Sequence, residues 1–74
     1  MEKEITINGK IFIVREIKYK DITTMGQQPA DVMAKEIMKL STGITDEEYD
    51  ALSMKDGIEL QKGVNEVNGL GNFQ

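Results

Sequence analysis

The residue types that most often perform chemistry near neutral pH are missing from this 74-residue chain, which has no histidine and no cysteine. Those two side chains are the best suited to proton transfer and nucleophilic attack at that pH. An enzyme would have to use carboxylates, lysine, tyrosine or serine, and so small a domain has little interior in which burial could shift their pKa values. We therefore expect no catalytic residue and no cofactor.

The densest group of charged side chains is an acidic run of three residues that starts at Asp46, with Asp50 close behind. An EF-hand calcium loop counted from Asp46 requires glycine at its sixth position and glutamate at its twelfth, where this chain has Ala51 and Gly57. First-turn carboxylates that interact with a helix dipole are a better interpretation. We therefore expect no metal site.

Three other glutamates, Glu36, Glu59 and Glu66, could pair for acid–base chemistry only if the fold buried them. Each falls on the polar face of a predicted helix, with lysines close by in sequence. A solvated helix face is the better interpretation, because nothing in the pattern buries these carboxylates.

The charge balance restricts the partners. Nine Lys and Arg residues against thirteen Asp and Glu give a net charge of −4, which repels a phosphate backbone, so we expect no nucleic acid partner. The N-terminal stretch MEKEITING lacks the apolar run of a signal peptide, and no segment approaches the ~20 apolar residues that cross a bilayer. We expect a soluble cytoplasmic protein that does not interact with membranes.

A β-hairpin over residues 3–16 is the first predicted element. Asn8 and Gly9 separate two runs of strand-forming residues, and this pair is typical of a two-residue type I′ turn. A three-residue turn would instead shift the pairing and expose Phe12. With the two-residue turn, one face of the hairpin carries the apolar side chains that we expect to be buried: Ile5, Ile7, Phe12 and Val14.

A helix over residues 29–42 is predicted next, preceded by a weaker single helical turn around residues 21–25. Pro29 suits the first turn of a helix, and Gly43 suits the left-handed position just after a helix end. Apolar side chains recur at helical spacing in this segment and form a stripe that we expect to face the core: Ala30, Met33, Ala34, Ile37 and Leu40.

Two more helices are predicted from their capping residues. Thr45 with a glutamate three residues later is a capping-box pattern, and it predicts a short helix over residues 46–52. Ser53 with an aspartate three residues later predicts the start of a last helix, which should end near Gly69. The whole chain, 1–74, is then one α+β domain: the hairpin 3–16 packed against three to four short helices within 20–69, with a flexible tail over 70–74.

The apolar residues of the last helix and tail have two alternative roles, because they could form the core of the domain or bind another protein. The methionines show the same ambiguity: Met33 has the spacing of a core residue, while Met25, Met38 and Met54 fit either role. The candidate partner-binding residues are Met54, Ile58, Leu60, Val64, Val67, Leu70 and Phe73.

Over nearly its whole length the chain resembles the small tail assembly chaperones of contractile-tailed phages and prophages, of the type found in phage Mu. A family pattern V-R-E-x-x-x-x-D at the end of the hairpin is matched by Val14, Arg15, Glu16 and Asp21. A later pattern, L-x-x-G-[ILV]-[ST]-x-E-E-[ILYF]-x-x-L-x-x-x-D, is matched by Leu40, Gly43, Ile44, Thr45, Glu47, Glu48, Tyr49, Leu52 and Asp56.

The resemblance implies a non-enzymatic chaperone whose partners are the tape measure protein and the tail tube protein. Such a chaperone keeps the long, apolar tape measure protein soluble while tail tube subunits polymerise around it. Self-association also suits a domain with a small core. The alternative is an acidic regulator unrelated to phage tails, which would bind a basic partner through its charged faces.

Overall fold

The computed structural model describes residues 1–70 and confirms the predicted α+β fold, a hairpin followed by four helices. The elements are β1 (Lys3–Ile7), β2 (Lys10–Val14), α1 (Tyr19–Met25), α2 (Ala30–Thr42), α3 (Asp46–Asp50) and α4 (Met54–Asn68). Within the described residues no helix has the length and apolar character that a bilayer-crossing segment needs.

The hairpin has the register predicted from the two-residue turn. Ile7 pairs with Lys10 and closes the turn, and Ile5 pairs with Phe12. Asn8 has a φ of 51° and Gly9 a φ of 80°, the positive values that a type I′ turn requires. This register places the four predicted apolar side chains on one buried face.

The core lies between that face of the hairpin and the helices, chiefly α4. It consists of Ile5, Ile7, Phe12, Val14, Met38, Ile44, Leu60, Val64 and Val67. α4 approaches β1 closely at Gly63, where an added Cβ would overlap the Cδ1 of Ile5. The absence of a side chain at Gly63 therefore sets the distance between α4 and the hairpin.

The predicted core stripe of α2 is wrong in part. Ala30, Ala34 and Leu40 are exposed, Leu40 by 47%, while Met33 and Ile37 are half-buried. The buried residues of α2 are instead Met38, Ser41 and Thr42.

The reason is that α2 meets the hairpin through its C-terminal turn, where hydrogen bonds fix its rotation. The backbone N–H of Arg15 donates to the Ser41 carbonyl at 2.8 Å, and the Ser41 hydroxyl donates to the Arg15 carbonyl at 2.7 Å. This contact turns Met38 and Ser41 inward and leaves Leu40 facing solvent.

Asn68 joins this contact to the end of α4. Its side-chain oxygen accepts from the Ile17 N–H at 2.6 Å, and its side-chain nitrogen donates to the Arg15 carbonyl and to the Ser41 hydroxyl at 3.3 Å each. The chain leaving β2 is thus held by both α2 and α4. No pattern in the sequence predicted this polar connection.

The short helices differ slightly from their predicted bounds. α3 ends at Asp50, before the predicted residue 52, because Ser53 must adopt extended backbone (φ −70°, ψ 163°) to cap α4. α1 starts at Tyr19, before the predicted residue 21, and buries no side chain.

Candidate protein-binding groove

A groove with a volume of about 300 Å³ lies where α3, the start of α4 and the end of α2 meet. We call it the apolar groove. It is lined by Met38, Tyr49, Leu52, Ser53, Met54, Gly57, Ile58 and Gln61. None of these side chains carries a charge, although 30% of the residues in the chain are charged. Polar Ser53 and Gln61 line it beside the exposed apolar Met54 and Ile58, and these two can receive apolar side chains of another molecule.

The two predicted helix caps build the groove. The Thr45 hydroxyl accepts from the Glu48 N–H, and a Glu48 carboxylate oxygen accepts from the Thr45 N–H, both at 3.1 Å. The Ser53 hydroxyl accepts from the Asp56 N–H at 3.1 Å. The Thr45 cap starts α3 and the Ser53 cap starts α4, so only the short connection 51–53 separates the two helices beside the groove.

The side chains of the groove form a buried floor and exposed walls. Met38 on α2 is 3% exposed and belongs to the core, whereas Met54 and Ile58 on α4 are 83% and 52% exposed. Tyr49 and Leu52 are half-buried and pack against the core from one side. A molecule that filled the groove would remove apolar surface of Met54 and Ile58 from water. Each Å² of apolar surface buried in this way contributes about 25 cal/mol of favourable free energy.

Gly57 contributes open space to the groove. Apart from its two chain neighbours and the adjacent backbone of α4, no atom lies within 4 Å of the position that its Cβ would occupy. The helix would be more stable with alanine there, by up to about 1 kcal/mol. The glycine thus widens the groove at the expense of helix stability.

Ion pairs hold α3 against α2 beside the groove. Lys39 contacts Asp46 at 2.8 Å, and this hydrogen bond raises the pKa of Lys39 and lowers the pKa of Asp46. Lys35 lies 3.4 Å from Asp50 and stands 5.3 Å from the centre of the Tyr49 ring. These lysines position α3, and with it Tyr49.

α3 is also attached to the tip of the hairpin. Glu48 accepts a hydrogen bond from Lys10, and this bond is the largest cause of the lowered pKa of Glu48. The same glutamate caps α3, so one carboxylate serves both the cap and the contact with the hairpin. α3 is therefore held from two directions.

The candidate partner-binding residues divide into three groups in the structure. Met54 and Ile58 line the apolar groove. Leu60, Val64 and Val67 lie in the core, the other role that the sequence allowed for them. Leu70 is 39% exposed and follows the other end of α4, and Phe73 lies outside the described residues.

The groove also contains residues that sequence reasoning did not assign to binding, chiefly Tyr49, Leu52 and Gly57. The shortness of the predicted helix could have indicated them. A helix of five residues makes little more than one turn, so the rest of the domain cannot cover its apolar side chains completely.

Within residues 1–70, no three acidic side chains are grouped closely enough to hold a metal ion. The groove provides an uncharged surface at the junction of three helices, and the flexible side chain of Met54 lies at its rim. No protein-family model, curated protein or solved structure matches the chain.

Proposed function

We propose that the protein is a tail assembly chaperone of a contractile-tailed phage or prophage, and that it binds the tape measure protein in the cytoplasm of the bacterial host. The observation that supports this function best is the uncharged apolar groove with Met54 and Ile58 exposed at its wall. The sequence resemblance supports the identity of the partner. The tail tube protein then assembles around the tape measure protein that the chaperone delivers.

The shape of the groove suits one face of a helix. Its α4 wall extends from Met54 to Gln61, about 10 Å along the axis, which matches about two turns of a docked helix. Helix-in-groove binding uses apolar anchors at such spacing. A tape measure protein with long amphipathic helices would present many equivalent segments to this groove.

The net charge supports the same role. A chaperone that covers apolar surface must itself stay dissolved when it is bound. Its charge of −4 opposes aggregation of the complex, while the uncharged groove provides the contact.

Co-expression with a tape measure protein of the same phage or prophage tests the proposal. We expect the chaperone to increase the soluble fraction of the tape measure protein. Ile58→Glu should abolish this effect, because it places a charge in the apolar groove. Val32→Glu is the matched control, since Val32 is also β-branched, helical and exposed, and lies outside the groove.

The result would count against the proposal if the tape measure protein stayed insoluble with the unchanged chaperone, or if both variants failed equally. Salt distinguishes the alternative of an acidic regulator. A regulator that binds a basic partner through charged faces would lose affinity steeply as salt increases, and the apolar contact proposed here would not.

A further inference from the structure

The outer edge of β1 is not paired with another strand within residues 1–70. In a hairpin, alternate residue pairs exchange backbone hydrogen bonds, starting here from the closing pair Ile7–Lys10. The backbone groups of Ile7 and Ile5 therefore point towards β2. Those of Glu4 and Thr6 point away from it, and no backbone hydrogen bond joins them to a helix or loop of the described chain.

A cleft of about 390 Å³ runs along this edge between β1 and α4, and we call it the edge cleft. Its lining residues are Lys3, Glu4, Ile5, Thr6, Glu59, Lys62, Gly63 and Glu66. The β1 residues that line it, from Lys3 to Thr6, span about 10 Å along the strand, because each residue of a strand adds about 3.3 Å. An added strand of three or four residues would fit beside them.

The position of α4 disfavours a second copy of this chain as the added strand. Two copies that paired antiparallel through β1 would each bring α4 onto the same face of the joint sheet. Neighbouring strands lie about 4.8 Å apart, whereas packed helices need about 8–10 Å. Because α4 packs on β1 at Gly63, its copy would come too close. A strand without a helix beneath it suits the cleft better.

The charges of the cleft indicate what the strand should carry. Lys3 and Glu66 form an ion pair at 2.8 Å, so they largely neutralise each other. Glu4, Glu59 and Lys62 form no ion pair within residues 1–70, and they leave two negative charges against one positive charge. Basic side chains therefore complement the cleft, and Glu4 disfavours an acidic strand at the edge.

We infer that the edge cleft binds an extended, basic segment of a partner protein, which pairs with β1 as a third strand. The backbone groups of Glu4 and Thr6 provide the hydrogen bonds, and the carboxylates provide the preference for basic residues. This inference does not depend on the proposed function, because the edge cleft and the apolar groove share no lining residue.

A blocked pentapeptide, Thr-Lys-Val-Lys-Thr, is the probe for an NMR titration. We expect chemical-shift changes along β1, with the Glu4 and Thr6 amide hydrogens exchanging about tenfold more slowly at about 90% occupancy, because only the free tenth exchanges. The amides of Ile11 and Ile13, on the opposite edge of the hairpin, are the internal control and should not change. No change at Glu4 and Thr6 at millimolar peptide would overturn the inference.

Methylated peptides test the hydrogen-bond pattern. When the two lysine side chains lie on the same face as Glu4 and Thr6, the lysine backbone nitrogens face β1. For an antiparallel third strand in this register, methylation of those nitrogens should abolish binding, and methylation of the valine nitrogen should be tolerated. Any other pattern would contradict an antiparallel third strand with its lysines on the Glu4 face.

A charge reversal tests the preference for basic residues. Glu4→Lys should weaken peptide binding about threefold or more, since like charges on neighbouring strands repel. Asp31→Lys is the matched control, because Asp31 is exposed, changes the net charge equally and lies on α2. Equal effects of the two variants would contradict a local role for Glu4. Protection of Glu4 and Thr6 that appears with protein concentration alone would assign the edge to a second copy and overturn the inference.

Discussion

Two glycines of α4 have opposite surroundings, although both lie within the helix. At Gly63 an added Cβ would overlap the Ile5 side chain and lie 3.7 Å from Val14. At Gly57 the same atom would meet nothing within 4 Å. A side chain at position 63 would therefore have to displace that of Ile5, whereas Gly57 leaves space in the apolar groove.

Alanine at each position separates these two roles. Both substitutions gain helix propensity, so the difference between them mainly reports packing. We expect Gly63→Ala to be less stable than Gly57→Ala by about 1–3 kcal/mol, the usual cost of overpacking. Urea denaturation of the two variants measures this difference. Equal stabilities would mean that Ile5 moves aside without cost.

At the scale of single residues, the sequence shows that both glycines are unfavourable in a helix. It could not predict which glycine packs against the hairpin and which lines the groove. The same limit applies to Asn68. Its side chain contacts Arg15 and Ser41, which lie 53 and 27 positions away in the chain. No local pattern reports such contacts, because they exist only after three segments have packed together.

At the scale of elements, predictions from neighbouring residues were confirmed. The Asn8-Gly9 turn, the left-handed Gly43 and the Thr45 capping box each depend on backbone groups a few positions apart. The rotation of α2 was wrong because it depends on a distant partner. Counting apolar residues favoured Leu40, whereas hydrogen bonds to Arg15 bury the polar Ser41.

The attachment of α3 predicts a dependence of stability on pH. Asp46 is paired with Lys39 and Glu48 with Lys10, and each contact lowers the pKa of the carboxyl below its ordinary value, 3.8 and 4.5 respectively. A lowered pKa in the folded state means that the contribution is complete above the ordinary value and is lost as pH falls through the lowered one. We expect the urea midpoint to decrease between about pH 5 and pH 3.

Asparagine at position 46 tests the cause of this decrease. Asp46→Asn keeps the size of the side chain but removes its titration, so the decrease with acid should be smaller in this variant. Glu47→Gln is the control, since Glu47 is an exposed neighbour that forms no ion pair within the described residues. An identical pH profile for Asp46→Asn and the unchanged protein would refute the role of the Lys39 contact.

At the scale of the whole molecule, α4 serves three surfaces at once. Leu60, Val64 and Val67 fill the core. Met54, Ile58 and Gln61 form a wall of the apolar groove, and Glu59, Lys62 and Glu66 form a wall of the edge cleft. A helix of 15 residues can do this because its side chains point in every direction around the axis. The two outer surfaces therefore differ in chemistry although they share one helix.

This arrangement predicts different responses of the two surfaces to salt. Screening shortens the range of charge interactions from about 10 Å at 0.1 M salt to about 3 Å at 1 M, while apolar contact persists. The basic pentapeptide should therefore bind more weakly at 1 M salt, and an apolar helical segment of the proposed partner, a tape measure protein, should bind about equally at both concentrations. NMR titration of each ligand in each salt measures this contrast, with Ile58→Glu and Glu4→Lys assigning each response to its surface. If salt weakened both ligands to the same extent, the two surfaces would not be distinguished by charge, and the division of α4 into an apolar wall and a charged wall would have no consequence for binding.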